Sequence, residues 1–347
     1  MITLAQIGCG YWGPNLLRNF ASNSKCRVKW VADQRAERRA FVEANYHGVA
    51  TTADWRTVLD DPEVDGVVIS TPASSHADLA LAALGAGKHV FVEKPLATTV
   101  AEVDAIAAAA GGRVVMTGHT FLYNAAVRRI RDLVAGGDLG KIYYIYSQRL
   151  NLGQVRSDVN VWWNLAPHDV SILLYLLGGE VPDSVFVHGL TYLQKEVEDV
   201  AFATLSWPSG IKAHLHLSWL DPGKVRKMTV VGSRKMVVYD DIADDKIAIF
   251  DKGVDFVPRS GERMDFDNFD AFNVVHRMGD IWLPRIKFEE PLRVEAGHFL
   301  DCIERGEEPL TGIRHAREVV AVLAAGQRSL REGHDVRLAD GIEGERA

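Results

Sequence analysis

The stretch "ITLAQIGCGYWG", residues 2–13, decides the fold. Its first six residues form a short apolar run, which is typical of a buried strand. Gly8, Gly10 and Gly13 then follow in the pattern G-x-G-x-x-G, and a helical run comes directly after them. Glycines permit a tight turn and a close approach of the backbone to a pyrophosphate group, and the start of a helix attracts that anion with free N–H groups. The stretch therefore predicts a strand, turn and helix that bind a dinucleotide.

A carboxylate stands where such a unit would contact the ribose of the dinucleotide. A second apolar run, residues 27–32, ends at Asp33, which follows Gly13 by twenty residues. A carboxylate at this place accepts hydrogen bonds from ribose hydroxyls and repels a 2′-phosphate group. The sequence therefore favours NAD as the cofactor, and NADP is the less favoured alternative because Arg35 and Arg38 lie nearby. In the competing interpretation, Asp33 is a surface cap and the glycines form only a turn.

Strands and helices alternate through the first third of the chain. Further apolar strands are predicted in "VDGVVISTP", "KHVFVEKP" and "RVVMTGH", with helical runs between them. This order of short apolar strands and helices implies a parallel, doubly wound sheet. We therefore predict an α/β fold with an NAD-binding Rossmann domain at residues 1–120.

The pattern changes from about residue 121. The strands predicted after that point are 141–151, 200–207, 210–219, 225–232 and 235–240. They alternate in polarity and are joined by short turns, which is typical of an antiparallel sheet. We predict an α+β domain at residues 121–347, with a large, mostly antiparallel, open-faced sheet and two late helices. Residues 251–291 fit no predicted element.

Composition excludes several classes of protein. The chain has 347 residues, enough for two domains, and a net charge of −7, which offers no basic field to nucleic acid or to an anionic membrane. Its three cysteines have no metal-like spacing, which favours a reducing compartment without disulfides. No export signal and no run of about 18 apolar residues is visible, so we expect no membrane span. These features favour a cytoplasmic protein.

Several stretches resemble the Gfo/Idh/MocA oxidoreductases, and the resemblance runs over nearly the whole chain. They are "GCGYWG" (8–13), "STPASSHADLALAALGAGKHVFVEKPLA" (70–97) and "NLAPHDVSILLYLLGG" (164–179). Two others, "GHTFLYNAAVRRI" (118–130) and "SWLDPGKVRKMTVVGS" (218–233), are similar to the branch that acts on nucleotide-activated sugars, including sugar 3-dehydrogenases. The resemblance implies hydride transfer between NAD and a secondary alcohol of a sugar, most naturally C3 of a nucleotide-activated sugar.

One predicted strand ends in Glu93, Lys94 and Pro95. Open α/β sheets bind ligands at the carboxyl ends of their strands, and Pro95 restricts Lys94 to an extended backbone. In the family this lysine points across the nicotinamide into the substrate cleft. We therefore expect Lys94 to hold a substrate hydroxyl and to stabilise charge on it, with Glu93 orienting the lysine or keeping it charged. A surface ion pair is the alternative.

A predicted helix within 161–179 carries a histidine opposite its apolar face. Family dehydrogenases often have an aspartate and a histidine in D-x-x-x-H spacing here, with the histidine as general acid or base, and this implies that role for His168. Asn164 stands where the aspartate often stands. An amide oxygen can orient the imidazole, but it cannot stabilise an imidazolium with a full charge. In the alternative, His168 is a polar residue that faces solvent.

These considerations give three sets of candidate site residues. The predicted catalytic residues are Lys94, His168 and Asn164. The predicted cofactor-binding residues are Gly8, Cys9, Gly10, Tyr11, Trp12, Gly13, Asp33, Thr71, Pro72, His76, Glu93 and Lys94. The predicted substrate-binding residues are Lys94, Tyr123, Arg149, Asn151, Arg156, Asn160, Trp163, Asn164 and His168.

Among the substrate candidates, an arginine at 149 or 156 would bind the diphosphate of a nucleotide-sugar through paired hydrogen bonds, unless this segment is a solvated loop. No metal site is predicted, because His214 and His216 share a strand face without a third ligand at a telling spacing.

The predicted protein is an NAD-linked dehydrogenase whose partner is a small-molecule sugar, nucleotide-linked in the first interpretation. The alternatives are an NAD(P)H-dependent keto-sugar reductase, a dehydrogenase of cyclitols or free sugars, and a non-catalytic dinucleotide-binding regulator, which Asn164 would suit. The open face of the second sheet predicts a homodimer or homotetramer.

Overall fold

Two sheets organise the part of the chain that the computed structural model describes, which is residues 1–153, 155–157, 159–258 and 272–340. The strands of the first sheet are β1 (Ile2–Ile7), β2 (Cys26–Ala32), β3 (Ala50–Thr52), β4 (Gly66–Ile69), β5 (His89–Glu93) and β6 (Val115–Gly118). All of them run parallel, in the order β3-β2-β1-β4-β5-β6. The predicted doubly wound sheet is confirmed, and the short edge strand β3 is an addition that the sequence pattern did not reveal.

Helices connect these strands. They are α1 (Gly13–Ala21), α2 (Ala36–Asn45), α3 (Arg56–Leu59), α4 (His76–Gly85) and α5 (Val100–Ala109). Strands β2 and β3 lie on one side of β1, and β4, β5 and β6 lie on the other. The strand order therefore reverses beside β1. Ligands of doubly wound sheets bind at the carboxyl ends of the strands at this reversal.

The second sheet is mixed and mostly antiparallel. Its strands are β7 (Ile142–Leu150), β8 (Ser184–Leu190), β9 (Val200–Ser206), β10 (Lys212–Ser218), β11 (Val225–Gly232), β12 (Met236–Asp240), β13 (Ile247–Pro258), β14 (Phe272–Trp282) and β15 (Val336–Arg337). Their order among the described residues is β14-β13-β12-β11-β7-β10-β9-β8-β15, and β7 and β10 form the parallel pair. The predicted second sheet is confirmed.

The segment 251–291, for which the sequence predicted no element, extends this sheet. It contains most of β13 and all of β14, which pair with each other at the sheet edge. Residues 259–271 between them lie outside the described residues. The mixed acidic and aromatic composition hid the alternation that identifies a strand.

Four further helices accompany the second sheet: α6 (Ala125–Ala135), α7 (Val161–Leu176), α8 (Pro291–Arg305) and α9 (Ile313–Glu332). The indole N–H of Trp162 in α7 donates to the carbonyl oxygen of Leu323 in α9 at 2.8 Å. A Cβ atom at Gly326 would lie 2.2 Å from the Trp162 ring, so glycine is required where α9 crosses it. This contact holds α7, which carries His168, in place.

Helices α8 and α9 also pack against the first sheet. The Phe299 ring of α8 lies 6.2 Å from that of Phe20 and 5.7 Å from that of Phe91, measured between centroids. The amide N–H of Thr117 in β6 donates to the carbonyl oxygen of Thr311 at 2.9 Å. The division of the chain at residue 120 stays a prediction, because α9 contacts β6 of the first sheet and β8 of the second.

One face of the second sheet is open. Tyr144 and Tyr146 of β7 are 43% and 38% exposed, and Phe202 of β9 is 44% exposed. On the same face, His216 stacks on Phe202 at 4.4 Å, and His214 contacts the hydroxyl of Thr204 at 3.1 Å. Within the described residues, none of the helices combines the length and hydrophobicity needed to span a membrane.

Candidate active site

The glycine turn after β1 is shaped so that only glycine fits at its first position. Gly8 has a φ of +89°, and a Cβ atom there would lie 2.7 Å from the carbonyl oxygen of Ser70 at the end of β4. The side-chain Nε2 of Gln6 donates to the carbonyl oxygens of Gly8 (2.8 Å) and Gly13 (3.0 Å). The residues of β1 and β4 therefore fix the turn before any ligand arrives.

The outer side of this turn has room for a ligand. A Cβ atom at Gly10 would meet only the guanidinium of Arg35, at 3.5 Å. The amide N–H groups of Gly10, Tyr11 and Trp12 donate to no other group among the residues that the structure describes. Free N–H groups before α1 and an uncovered backbone at Gly10 fit the pyrophosphate of NAD.

Asp33 ties the turn to the end of β2. Its Oδ2 accepts a hydrogen bond from the amide N–H of Cys9 at 2.8 Å, and its Oδ1 accepts one from the amide N–H of Arg35 at 2.9 Å. Carboxylate oxygens have two lone pairs each, so Asp33 keeps acceptors for ribose hydroxyls. Burial raises the pKa of the Cys9 thiol to about 11, so this side chain packs beneath the turn as a neutral group.

His76 joins the ends of β4 and β5. Its Nδ1 lies 2.7 Å from the carbonyl oxygen of Pro95, and its Nε2 lies 2.9 Å from that of Thr71. The ring is buried, and burial lowers its pKa. Because both ring nitrogens face backbone carbonyls, the ring braces the two strand ends, and its contact with the cofactor stays a prediction. Thr71 and Pro72 remain predicted cofactor residues.

Lys94 is held against the first turn of α7. Its Nζ donates to the carbonyl oxygen of Asn164 at 2.9 Å, and the peptide bond between Lys94 and Pro95 is cis. Burial lowers the pKa of Lys94 to about 8, against the attraction of the Glu93 carboxylate. Burial likewise raises the pKa of Glu93 to about 7, and its Oε2 accepts from the amide N–H of Lys94 at 3.1 Å. Burial thus disfavours the charged form of both side chains, and their mutual attraction favours it.

His168 lies one helical turn after Asn164 in α7, and its ring centroid is 5.1 Å from that of Phe121. Burial lowers the pKa of His168 well below its usual value, and the positive charges of Lys94 and Arg149 add to this effect. The buried Nδ1 has no hydrogen-bond partner within the described part of the chain. The ring is thus neutral at pH 7 and able to accept a proton.

The side-chain amide of Asn164 contacts Trp219. Its Oδ1 accepts a hydrogen bond from the indole N–H of Trp219, just after β10, at 3.2 Å. Across the described ranges no hydrogen bond joins Asn164 to the imidazole. The amide oxygen of Asn164 thus accepts from Trp219, and the expectation that it supports the histidine stays a prediction.

Comparison with known proteins identifies the family of this chain. Residues 2–121 match the family model described as an oxidoreductase family with an NAD-binding Rossmann fold, and residues 127–238 match the GFO/IDH/MocA C-terminal domain. A putative oxidoreductase of known structure from Magnetospirillum magnetotacticum MS-1 is 30% identical with a TM-score of 0.79, over 94% of this chain and 99% of that one. The chain belongs to the Gfo/Idh/MocA family. The predicted family, oxidoreductase activity and NAD cofactor are confirmed.

Two curated relatives of this Gfo/Idh/MocA protein are named as inositol dehydrogenases. The myo-inositol 2-dehydrogenase of Thermotoga maritima is 22% identical over 98% of this chain and 99% of its own length. The scyllo-inositol 2-dehydrogenase (NAD(+)) of Bacillus subtilis is 25% identical over 81% of this chain and 80% of its own length. Neither name includes a nucleotide-activated sugar, so the predicted branch of the family stays a prediction.

In this Gfo/Idh/MocA protein, Arg149 forms a buried ion pair with Asp169. Its Nε lies 2.7 Å and its Nη2 lies 3.2 Å from the two carboxylate oxygens of Asp169, and both side chains are less than a tenth exposed. The hydroxyl of Ser147 donates to the same carboxylate at 2.8 Å. A buried carboxylate thus pairs with the guanidinium of Arg149, and binding of a substrate diphosphate by Arg149 stays a prediction.

Three other predicted substrate residues point into the protein. The hydroxyl of Tyr123 lies 3.1 Å from that of Thr311, and the ring is buried. Asn160 caps α7, since its Oδ1 accepts from the amide N–H of Trp163 at 3.0 Å. The Trp163 side chain is 3% exposed. These contacts support the site from within, and binding of the substrate by the three residues stays a prediction.

Asn151 and Arg156 stay predictions as substrate residues. Asn151 is exposed, and its amide N–H donates to the carbonyl oxygen of Ser218 at 3.1 Å. The positive charge of Arg156 contributes to the lowered pKa of Lys94, which indicates that it lies near the ammonium group. Residues 154 and 158 of the same loop lie outside the described residues.

Two buried titratable groups of the site were missed by the sequence analysis. His119 follows β6, its ring centroid lies 5.3 Å from that of His315, and burial lowers its pKa well below the usual value. The Glu295 carboxyl accepts from the hydroxyl of Thr120 at 2.7 Å, and burial raises its pKa well above the usual value. His119 follows the end of a parallel strand, as Lys94 does, and this position could have identified it as a site residue. Glu295 lies in a late helix and gave none.

Proposed function

We propose that this protein transfers a hydride from a secondary alcohol of a sugar or cyclitol to NAD. The observation that carries the proposal is the hydrogen bond from Lys94, at the carboxyl end of a parallel strand, to the helix that carries His168. Doubly wound sheets bind ligands at the carboxyl ends of their strands. Lys94 Nζ contacts the carbonyl oxygen of Asn164, one helical turn before His168. A cation and a neutral base beside a dinucleotide turn are what oxidation of an alcohol requires.

The two side chains divide the chemistry of the hydroxyl group. His168, neutral at pH 7, accepts the hydroxyl proton. The ammonium group of Lys94 has two N–H donors beyond the one given to Asn164, and these hold the hydroxyl oxygen and stabilise negative charge on it. Bound NAD supplies the hydride acceptor. In the reverse reaction a keto-sugar is reduced, and His168 returns the proton.

A nucleotide-activated sugar, oxidised at C3, is the first substrate candidate. The resemblance of residues 118–130 and 218–233 to that branch of the family supports it, and the charge of Arg156 near Lys94 would attract a diphosphate. A cyclitol is the second candidate, and the inositol dehydrogenases among the relatives favour it. A non-catalytic regulator would need neither Lys94 nor His168, and the chain has both.

We also infer that two or four copies join through the open face of the second sheet. The exposed rings of Tyr144 and Tyr146 stack at 6.4 Å there, in line with Phe202. A contiguous apolar and aromatic patch on a sheet is typical of an interface. The unpaired thiols of all three cysteines are compatible with a cytoplasmic setting.

The function is tested by incubating the protein with NAD or NADP and three sets of alcohols: nucleoside-diphosphate sugars, free sugars and inositols. Formation of reduced cofactor with NAD and at least one set supports the proposal, and the set that reacts identifies the substrate class. Absence of reduction with every alcohol, together with absence of oxidation of NADH by the matching ketones, would contradict it.

A further inference from the structure

A cleft of about 540 Å³ lies between the end of α1, the start of α6 and one face of α8. A volume of this size is typical of a site for a small molecule. None of the residues that line the cleft is among the candidate cofactor or substrate residues. The proposed reaction therefore does not account for it.

Gly297 keeps the floor of this cleft open. It lies in the middle of α8, where a glycine weakens the helix relative to an alanine. Packing does not require a glycine there, because the nearest group to an added Cβ atom would be the side-chain Nδ2 of Asn23, at 4.0 Å. The helix is thus weakened at a place where a side chain would fill the cleft.

Two donors of the cleft are held on the ring of Tyr123. The guanidinium carbon of Arg128 lies 5.2 Å from the ring centroid, and its Nε donates to the carbonyl oxygen of Leu122 at 3.1 Å. The ring centroid of His298 lies 5.5 Å from that of Tyr123. Burial lowers the pKa of His298, so the ring is neutral at pH 7. Its Nε2 accepts from the amide N–H of Leu310 at 3.0 Å, so the ring proton is on Nδ1.

These donors have hydrogen-bonding capacity left for a ligand. The Nη groups of Arg128 donate to no group within the part of the chain that the structure describes. The Nδ1 of His298 has the Sγ of Cys302 as its contact, at the long distance of 4.0 Å. Arg293, earlier in α8, is exposed and forms no ion pair across the described ranges. Two guanidinium groups and an imidazole N–H suit a phosphate group, which accepts from several donors at once.

Asn19 supplies an acceptor on the opposite wall, in α1. Its Nδ2 donates to the carbonyl oxygen of Asn15 at 3.0 Å and to the carboxylate of Glu290 at 3.2 Å. Both partners only accept, so the orientation of the amide is fixed. Its Oδ1 is buried and lacks a partner among the residues that the structure describes. A buried acceptor without a donor is unfavourable, and a hydroxyl group of a ligand would satisfy it.

We propose that this cleft binds the phosphate ester of a sugar or of another polyol. The phosphate group accepts hydrogen bonds from Arg128, Arg293 and the Nδ1 of His298. A hydroxyl group of the ligand donates to the Oδ1 of Asn19. The proposal goes beyond the proposed function, because no residue of the candidate active site takes part in it.

Two carboxylates of the cleft favour an ester over a bare anion. Glu289 is exposed, and Asp301 pairs with Lys25. Carboxylates repel inorganic phosphate and polyphosphate, and they accept hydrogen bonds from hydroxyl groups. They therefore favour a ligand in which a single phosphate group is joined to several hydroxyl groups.

Isothermal titration calorimetry with glucose 6-phosphate and with myo-inositol 1-phosphate tests the proposal without turnover. At least one of them should bind in a one-to-one ratio, about 10-fold or more tightly than inorganic phosphate and than glucose. Binding of both esters no tighter than that of inorganic phosphate would overturn the proposal. Tighter binding of gluconate than of either ester would overturn the choice of a phosphate group.

Two variants test the location. Gly297→Leu fills the floor of the cleft and Arg128→Gln removes one charge, so each should weaken binding of the ester by about 10-fold or more. Arg129→Gln is the matched control, because Arg129 is exposed on the same turn of α6 and does not line the cleft, and its affinity should equal that of the wild type. Wild-type affinity in both Gly297→Leu and Arg128→Gln would contradict the proposed site.

Thermal unfolding of Gly297→Ala tests the role of the glycine separately. Its melting temperature should rise, because alanine favours the helix and the added Cβ atom makes only an ordinary contact. A lower melting temperature would show that packing requires the glycine.

Lys94→Ala distinguishes the cleft from the active site. This variant should bind the phosphate ester as the wild type does, whether or not the wild type oxidises any alcohol. Loss of binding in Lys94→Ala, with binding retained in Arg128→Gln, would place the ester in the active site and overturn the proposal.

Discussion

Replacing Asp169 by asparagine should destabilise the protein by about 3–5 kcal/mol. The carboxylate accepts two hydrogen bonds from Arg149, at 2.7 and 3.2 Å, and one from Ser147 at 2.8 Å. The side chains of Arg149 and Asp169 are 7% and 3% exposed. An asparagine leaves the guanidinium charge buried without a counter-charge, and that desolvated charge is the source of the loss.

The chain offers a matched control with the same geometry and a different environment. Arg317 donates to the two carboxylate oxygens of Asp104 at 2.6 and 3.1 Å, and both side chains are 50% exposed. Water solvates either charge when the other is removed. Asp104→Asn should therefore cost no more than about 1 kcal/mol.

Urea unfolding of the two variants and the wild type measures both losses, provided that the slopes of the transitions agree. We expect Asp169→Asn to lower the free energy of unfolding several-fold more than Asp104→Asn does. Similar losses would refute the reasoning that burial makes the Arg149–Asp169 pair costly to break.

Three further changes test other parts of the account. Asp33→Ser should raise the affinity for NADP relative to NAD, because the carboxylate that repels a 2′-phosphate is gone; equal affinity of the wild type for both cofactors would contradict this role of Asp33. Burial raises the pKa of Glu295 well above its usual value of 4.5, so the stability that its neutral form contributes is present at low pH and is lost as pH rises through the pKa in the folded protein. Glu295→Gln should then match the wild-type melting temperature near pH 4 and exceed it by a few degrees near pH 8, and a lower melting temperature at both pH values would count against a neutral Glu295. Tyr146→Asp, on the open sheet face, should lower the oligomeric mass measured by light scattering, whereas an unchanged mass would place the interface elsewhere.

The parallel sheet and its glycine turn could be predicted because their signals are local. The G-x-G-x-x-G pattern, the strand before it and Asp33 lie within one short stretch, and each meets its partners through neighbouring strand ends. Strand β3 could not be predicted, because its three residues of low hydrophobicity at a sheet edge show no recognisable alternation.

The partners of site residues could not be predicted, because they come from distant parts of the sequence. Asp169 accepts a hydrogen bond from Arg149, which lies 20 residues away in the sequence. Trp219 donates one to the side-chain amide of Asn164, which lies 55 residues away. Spacing within α7 suggested that Asn164 would serve His168, and the helix does place them one turn apart. The contact from Trp219, just after β10, decides the orientation of the Asn164 amide. No pattern within the helix contains that information.

Single-turnover hydride transfer by Lys94→Ala with saturating NAD shows whether Lys94 acts on the substrate. We expect a rate lower by about 10²-fold or more with nearly unchanged affinity for NAD, because the glycine turn and Asp33 hold the cofactor. Lys88→Ala is the matched control, since its buried ammonium also donates to a backbone carbonyl, that of Asp61 at 2.9 Å, and its rate should stay at the wild-type level. A Lys94→Ala protein that transfers the hydride as fast as the wild type would contradict the account.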